Sequence, residues 1–238
     1  MNLQNKIVAV VGGATGIGKA TAEVCAAAGA TVIVADFNEA EGQATAAAVG
    51  GFFFAINVAD EASVASAFAA MARQFDRLDA LIQTAGILRG AFVPLEEFDL
   101  ATFESVVRVN LTGSFLCAKH AVPLLKKAGR GVIVLVSSAA AIGGSSSYAY
   151  GASKGGVNGL GITLANKLAA DNIRVNVVMP GNIDTAMKRS VIQAERERLG
   201  AGGEQQQLAL GEPIGVGRVL AWLASDEADY VRGMIHTR

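Results

Sequence analysis

The chain has 238 residues, enough for one large core; 52% are hydrophobic and only 17% charged, so most elements should be buried on at least one face. A net charge of −1 provides no basic footprint for nucleic acid or an anionic membrane, and no apolar run reaches the roughly 18 residues needed to span a bilayer. Two cysteines, Cys25 and Cys117, each within an apolar helical pattern, argue against a disulfide scaffold, and with no signal peptide expected at the start the location expected is cytoplasmic.

Apolar runs rich in β-branched residues alternate with segments of helical period. Residues 6–11 (KIVAVV) read as a first strand, followed by a glycine-rich turn and a helix over 16–28. A second strand (31–35) precedes a helix at 39–48, and a third (52–56) precedes one at 61–75, where Asp60 supplies a cap and Glu61 a first-turn acid. A strand at 79–83, a helix at 101–128, a strand at 131–136, a helix at 150–171, a strand at 174–178, a helix at 216–224 and a strand near 232–237 complete the series. Several of these strands are continuously apolar, and their alternation with helices predicts a doubly wound, Rossmann-like parallel sheet of about seven strands, with helices on both faces. No linker marks a second domain, so residues 1–238 are read as one. Two segments break the rhythm. Residues 86–100 form a longer loop with Pro94, and 181–213 form a polar insertion with helical content near 187–199. The insertion is read as a substrate loop over about 184–213.

The first strand runs into Gly12-Gly13-Ala14-Thr15-Gly16-Ile17-Gly18 and then a helix, the strand–turn–helix context that a dinucleotide pyrophosphate requires. Glycines let the backbone approach the phosphates, and the free N–H groups of the helix face the anion. Asp36 ends the second strand about 20 residues on, where a carboxylate accepts hydrogen bonds from the adenosine ribose hydroxyls and repels a 2′-phosphate. Neither Phe37 nor Asn38 supplies a compensating cation and Thr15 is neutral, so NAD is favoured over NADP, which Lys19 keeps as a lesser option.

Tyr150 and Lys154 lie four apart at a predicted helix start, on one helical face. An unperturbed tyrosine titrates near 10 and is a poor base at neutral pH; a neighbouring ammonium is expected to lower that value and bring the phenol into acid–base range.

With these motifs in order, the chain resembles the short-chain dehydrogenase/reductase family in its shorter, single-domain form. The match runs from about residue 6 onward through the Gly-x-x-x-Gly-x-Gly turn, Asp36, Asn110 in Val-Asn-Leu-Thr-Gly, Ser137-Ser138, Tyr150/Lys154 and Pro180-Gly181. The resemblance implies that Tyr150 exchanges a proton with the substrate oxygen and that Ser138 hydrogen-bonds that oxygen. It further implies that Lys154 lowers the phenol pKa and holds the nicotinamide ribose, and that Asn110 helps hold a water feeding protons to Lys154. Asn57 would approach the adenine with Val58 beside it, and Ala85 and Gly86 would leave room for the ribose. Ile183 and Thr185, after Pro180 and Gly181, would contact the carboxamide side of the nicotinamide. The family's usual Thr before the glycine turn is Val11, its Asn-Asn-Ala-Gly reads Gln83-Thr84-Ala85-Gly86, and the acid often seen near adenine is Asn57. Ser138 precedes Tyr150 by twelve residues where thirteen is commoner, which leaves Ser137 a lesser candidate; Tyr148 is a decoy, since Ala152 lies four residues on.

The expected activity is NAD(H)-dependent hydride transfer between the nicotinamide and a secondary alcohol or ketone. The alternatives are reduction of a 3-oxoacyl thioester and a non-catalytic dinucleotide-binding regulator. No Cys/His/carboxylate cluster has metal spacing, His120 and His236 read as structural, and no nucleic-acid or membrane partner is expected. Small residues over 138–149, with Met179 and Met187, suggest a moderately apolar pocket. Apolar stretches on helices 101–128 and 150–171, with the family resemblance, make a homotetramer the expected assembly.

Overall fold

Each apolar run becomes a strand because helices on both faces take its side chains out of water. In the computed structural model, residues 1–200 and 209–237 are described. The chain order is β1 (Ile7–Val11), α1 (Gly16–Ala27), β2 (Thr31–Asp36), α2 (Glu39–Ala48), β3 (Phe52–Ala55), α3 (Glu61–Phe75) and β4 (Ala80–Gln83). There follow α4 (Leu100–Val107), α5 (Gly113–Lys127), β5 (Gly131–Val136), a short α6 (Ala140–Gly143), α7 (Tyr148–Leu168), β6 (Ile173–Met179), α8 (Ala186–Leu199), α9 (Pro213–Ala224) and β7 (Gly233–His236).

The seven strands form one parallel sheet in the order β3-β2-β1-β4-β5-β6-β7. Ile33, Leu81 and Ile133 pack with Met71, Leu125 and Val157 on the face covered by α3, α5 and α7. Val10, Val34 and Ile82 pack with Cys25, Leu220 and Leu223 under α1, α2 and α9 on the other. Each fully buried Leu or Ile contributes about 1.5–3 kcal/mol relative to exposure. The strand order reverses between β1 and β4, and ligands of such sheets sit beyond the carboxyl ends of the strands at that switch.

The predicted helix 101–128 is broken. A π-helical turn, Arg108–Thr112, separates α4 from α5 and carries the buried Asn110. Apolar periodicity runs unbroken through this stretch, so the sequence pattern does not register the one-residue bulge. α7 begins two residues earlier than expected because the Ser147 hydroxyl accepts the Tyr150 N–H and caps it, and α9 begins at Pro213, a residue suited to a first helical turn. Asp60 caps α3 as expected, accepting from the Ala62 N–H. Within the insertion, α8 runs over the segment expected to be helical and is capped by Thr185; the stretch 201–208 of the expected substrate loop lies outside the described residues. Gly211 returns to the sheet end by pairing with Ile183 and Asn182. Among the described residues no helix is long and apolar enough to cross a membrane, and no group of three or more His, Cys, Asp or Glu side chains could hold a metal.

Candidate active site

The glycine turn is shaped by close backbone approach. Gly12 has φ +82°, and a Cβ built there would stand 2.4 Å from the Ala85 nitrogen; one on Gly18 would stand 2.0 Å from the Gly12 oxygen. Only hydrogen fits at either position. Three side chains hold the turn from outside. An Asp36 carboxylate oxygen accepts the Ala14 N–H at 2.9 Å, the Thr45 hydroxyl donates to the Ala14 oxygen at 3.0 Å, and the Thr84 hydroxyl contacts the Val11 and Gly12 oxygens at 2.8 and 3.1 Å. Thr84 therefore supplies bracing at a position where the family's usual asparagine is absent. Asn38, Asp60, Asp99, Ser147 and Thr185 cap α2, α3, α4, α7 and α8 with their own side chains, whereas Thr15 makes no side-chain cap on α1. The first N–H groups of α1 keep their capacity for an anion, which is where a pyrophosphate would fit.

A cavity of about 890 Å³ opens beyond the carboxyl ends of β1, β2, β4, β5 and β6. Every residue expected to hold the dinucleotide lines it, from Asp36, Asn57 and Val58 on the β2–β3 side to Pro180, Gly181, Ile183 and Thr185 after β6. Ser138, Tyr150 and Lys154 line the same cavity. Asn110 does not. It lies fully buried behind Gly86, its Oδ1 accepting the Ile87 N–H at 2.8 Å and its amide donating to the Ile87 oxygen and the Ser153 hydroxyl, each at 2.9 Å. Both amide hydrogens are thus committed to protein partners, leaving Oδ1 with one spare lone pair. A Cβ on Gly86 would fall 3.2 Å from that Oδ1 and 3.3 Å from Lys154 Nζ, so this glycine keeps the two groups facing one narrow space.

The two serines separate cleanly. Ser137 is buried and donates to the Lys154 carbonyl at 2.9 Å, tying β5 to α7. Ser138 instead has its hydroxyl near the Tyr150 phenol, an influence that lowers the phenol pKa, and accepts the Ala140 N–H at 3.1 Å. Lys154 Nζ donates to the Val136 oxygen at 2.8 Å and sits 5.7 Å from the centre of the Tyr150 ring. Burial pushes the ammonium down to about 8. Burial also raises the Tyr150 phenol above its usual value, outweighing Ser138. The expected lowering of the phenol by an adjacent charge is therefore reversed: both groups lose water on entering the cavity wall, and desolvation favours the neutral form of each.

A family profile described as "Enoyl-(Acyl carrier protein) reductase" matches residues 12–237. The chain is 39% identical over 235 residues to cis-4-hydroxycyclohexanecarboxylate dehydrogenase of Sinomonas cyclohexanicum, covering 97% of this chain and 93% of that protein. It belongs to the short-chain dehydrogenase/reductase family. A second relative is the 3-oxoacyl-(acyl-carrier-protein) reductase of Thermotoga maritima, 36% identical with 99% of this chain and 96% of that protein covered. Among solved structures, levodione reductase superposes with a TM-score of 0.88 at 30% identity, over 99% of this chain and 96% of that one.

This short-chain dehydrogenase/reductase also places residues at its cavity that sequence reasoning did not single out. Phe37, 77% exposed, lines the wall next to Asp36; an apolar aromatic directly after a strand-ending acid was the available signal. Ile87, Leu88, Arg89 and Phe92 line the cavity from the loop after β4, whose irregular sequence carries no period to place them. Lys19, by contrast, is exposed on α1 and does not contribute to the lining.

Proposed function

We propose that the protein uses NAD(H) to interconvert a compact secondary alcohol and its ketone, with Tyr150 as the acid/base. The observation that carries this reading is the meeting of Tyr150, Ser138 and Lys154 in one cavity with an uncapped helix N-terminus and a glycine turn that admits no side chain. The nicotinamide supplies the hydride acceptor or donor. Ser138 donates a hydrogen bond to the substrate oxygen, and Tyr150 gives that oxygen a proton in reduction or takes one in oxidation. A phenol raised by burial is in the proton-donating form at neutral pH, so ketone reduction is favoured there and alcohol oxidation strengthens as the pH rises. Lys154, with its ammonium near 8 and two donors beyond the Val136 bond, would hold the nicotinamide ribose and relay protons, while Asn110 bonds Ser153 and the Ile87 backbone behind it.

Asp36 supports NAD over NADP: its carboxylate lines the cavity with lone pairs remaining after the Ala14 and Asn38 N–H bonds, and Lys19 lies outside the lining. The hydroxycyclohexanecarboxylate dehydrogenase supports a ring alcohol as substrate, and the Thermotoga relative supports the second reading, a 3-oxoacyl thioester. Exposed Phe115 on α5 and Ile162 on α7 support a homotetramer built on those helices.

The test is absorbance at the reduced-nicotinamide band across cyclohexanols, cyclohexanones, 4-hydroxycyclohexanecarboxylate and a 3-oxobutanoyl thioester, with NAD(H) and NADP(H) side by side. Tyr150→Phe should abolish turnover while cofactor binding stays unchanged. Turnover retained in that variant refutes the assignment, and turnover of the thioester alone transfers the reading to the acyl class.

A further inference from the structure

Phe92 stands between the catalytic cavity and a second recess of about 600 Å³, and lines both. The recess is otherwise bounded by Val93, Pro94, Tyr148, Arg198 and the small residues 143–146, and those small residues are shared with the catalytic cavity. The partition is held in an unusual way. Phe92 has φ +62°, a region that bulky side chains rarely enter and that persists only when the surroundings over-determine it. Its N–H donates to the Ser146 oxygen at 2.7 Å, and its ring lies 5.1 Å from the guanidinium carbon of Arg198 near the end of α8. Upstream, the Ser147 hydroxyl ties down the Arg89 oxygen at 2.6 Å, and the Phe98 ring, stacked edge-on against Tyr148, fills the place where Gly90 would carry a Cβ. The shared wall is open at its glycines: a Cβ built on Gly143 or Gly144 meets nothing within 4 Å.

We infer that Phe92, clamped by Arg198, is the residue that sets substrate length. It closes the far end of the catalytic cavity against the recess, admits a single ring and turns away substrates that extend beyond it. This rests on the alcohol–ketone reading above and adds its size limit. Removing the ring joins the two spaces, and a glycine there also takes up the backbone conformation at no steric cost.

The experiment compares cyclohexanone with 4-phenylcyclohexanone, by kcat/KM with NADH and by calorimetric titration into the NADH-loaded enzyme, in the wild type and in Phe92→Gly, Phe92→Ala, Arg198→Met and Arg198→Lys. The wild type should prefer the shorter ketone by at least about tenfold, the range over which apolar pockets discriminate size. Phe92→Gly and Phe92→Ala should erase that preference and Arg198→Met should weaken it, while Arg198→Lys, which keeps a cation over the ring, retains most of it. A preference unchanged in the glycine and alanine variants, with melting temperature and NADH affinity as in the wild type, overturns the inference, as does a wild type that takes both ketones equally. If neither ketone is reduced, the alcohol–ketone reading is judged by the wider panel of cyclohexanols and 4-hydroxycyclohexanecarboxylate, and the titration alone judges the partition: tighter binding of 4-phenylcyclohexanone to Phe92→Gly than to wild type upholds it, and equal binding overturns it.

Discussion

Lys154→Met should make the enzyme more stable at neutral pH while removing its activity. The ammonium is buried and falls from an ordinary value of 10.5 to about 8. At about 1.36 kcal/mol for each factor of ten in proton affinity, holding that charge in the fold costs on the order of 3 kcal/mol at pH 7. Between pH 8 and 10.5 the unfolded chain keeps the proton and the folded chain releases it, so the unfolded state binds more protons and stability rises with pH across this window. Methionine keeps most of the stem's volume and carries no charge. It forfeits the bond to the Val136 oxygen, worth about 1 kcal/mol, which leaves a net gain of about 2 kcal/mol at pH 7. For a chain of this size that is a rise in Tm of roughly 4–8 °C. The gain should vanish by about pH 10, where the wild-type lysine is neutral too. The raised Tyr150 phenol acts in the opposite sense above pH 10, but equally in both proteins, so the difference between them isolates Lys154. Thermal melts of both proteins from pH 6 to 10 read this directly. A difference in Tm that does not change with pH, or a methionine variant less stable at pH 7, would show that the burial cost is not carried by this ammonium.

Four further substitutions test the site's other parts. Gly18→Ala drives a methyl onto the Gly12 backbone, which no side-chain rotation relieves, so α1 must shift; a loss of about 1–3 kcal/mol by chemical denaturation and weaker NADH binding by fluorescence are expected. Ser137→Ala should lower stability by about 1 kcal/mol with kcat nearly intact, whereas Ser138→Ala should leave the melt close to wild type and cut kcat by about 100-fold or more; the reverse pattern would exchange the roles of the two serines. Asp36→Asn keeps an acceptor for the Ala14 N–H but drops the charge, and should raise the ratio of kcat/KM for NADP to that for NAD by about tenfold, as loss of a repulsive element does. An unchanged ratio would move the ribose away from the end of β2.

The parts of the fold legible in the sequence are those set by burial on two faces. Runs such as 7–11 and 131–136 are apolar throughout, and only a covered parallel sheet accommodates that. The glycine turn was legible because its chemistry needs a fixed spacing, and Tyr150 with Lys154 because one helical turn separates them. What stayed hidden depends on contacts between distant segments. The π-helical turn at Arg108–Thr112 is held by Asn110 bonding to Ile87 and Ser153, partners 23 and 43 residues away. The direction of the Tyr150 shift depends on how much water the wall excludes, which spacing does not reveal. Asp36 read as a ribose ligand, yet one of its oxygens also fastens Ala14 across 22 residues. A residue's type and spacing announce what it can bond; only the fold decides what it has already bonded.

That distinction sorts the site into frame and working groups. Asn110 has no amide hydrogen left over, and the Ser137 hydroxyl hydrogen is directed at the Lys154 carbonyl. Lys154 has used one of three donors, and the Ser138 hydroxyl accepts one backbone N–H and keeps its own hydrogen to donate. Removing a frame residue should therefore act twice, first on stability and then on geometry. Asn110→Ala strands the Ile87 N–H and C=O in a part-buried position, at about 1 kcal/mol or more, and frees the wall that Gly86 shares with Lys154. Its kcat should fall with its Tm. A working group shows no such coupling: in Tyr150→Phe the phenol oxygen is lost while the backbone of α7 stays capped by Ser147, so kcat should collapse on an unchanged melt. If Asn110→Ala lowered kcat at constant Tm, the asparagine would belong with the proton-handling groups and the frame would have to be sought elsewhere in the π-helical turn.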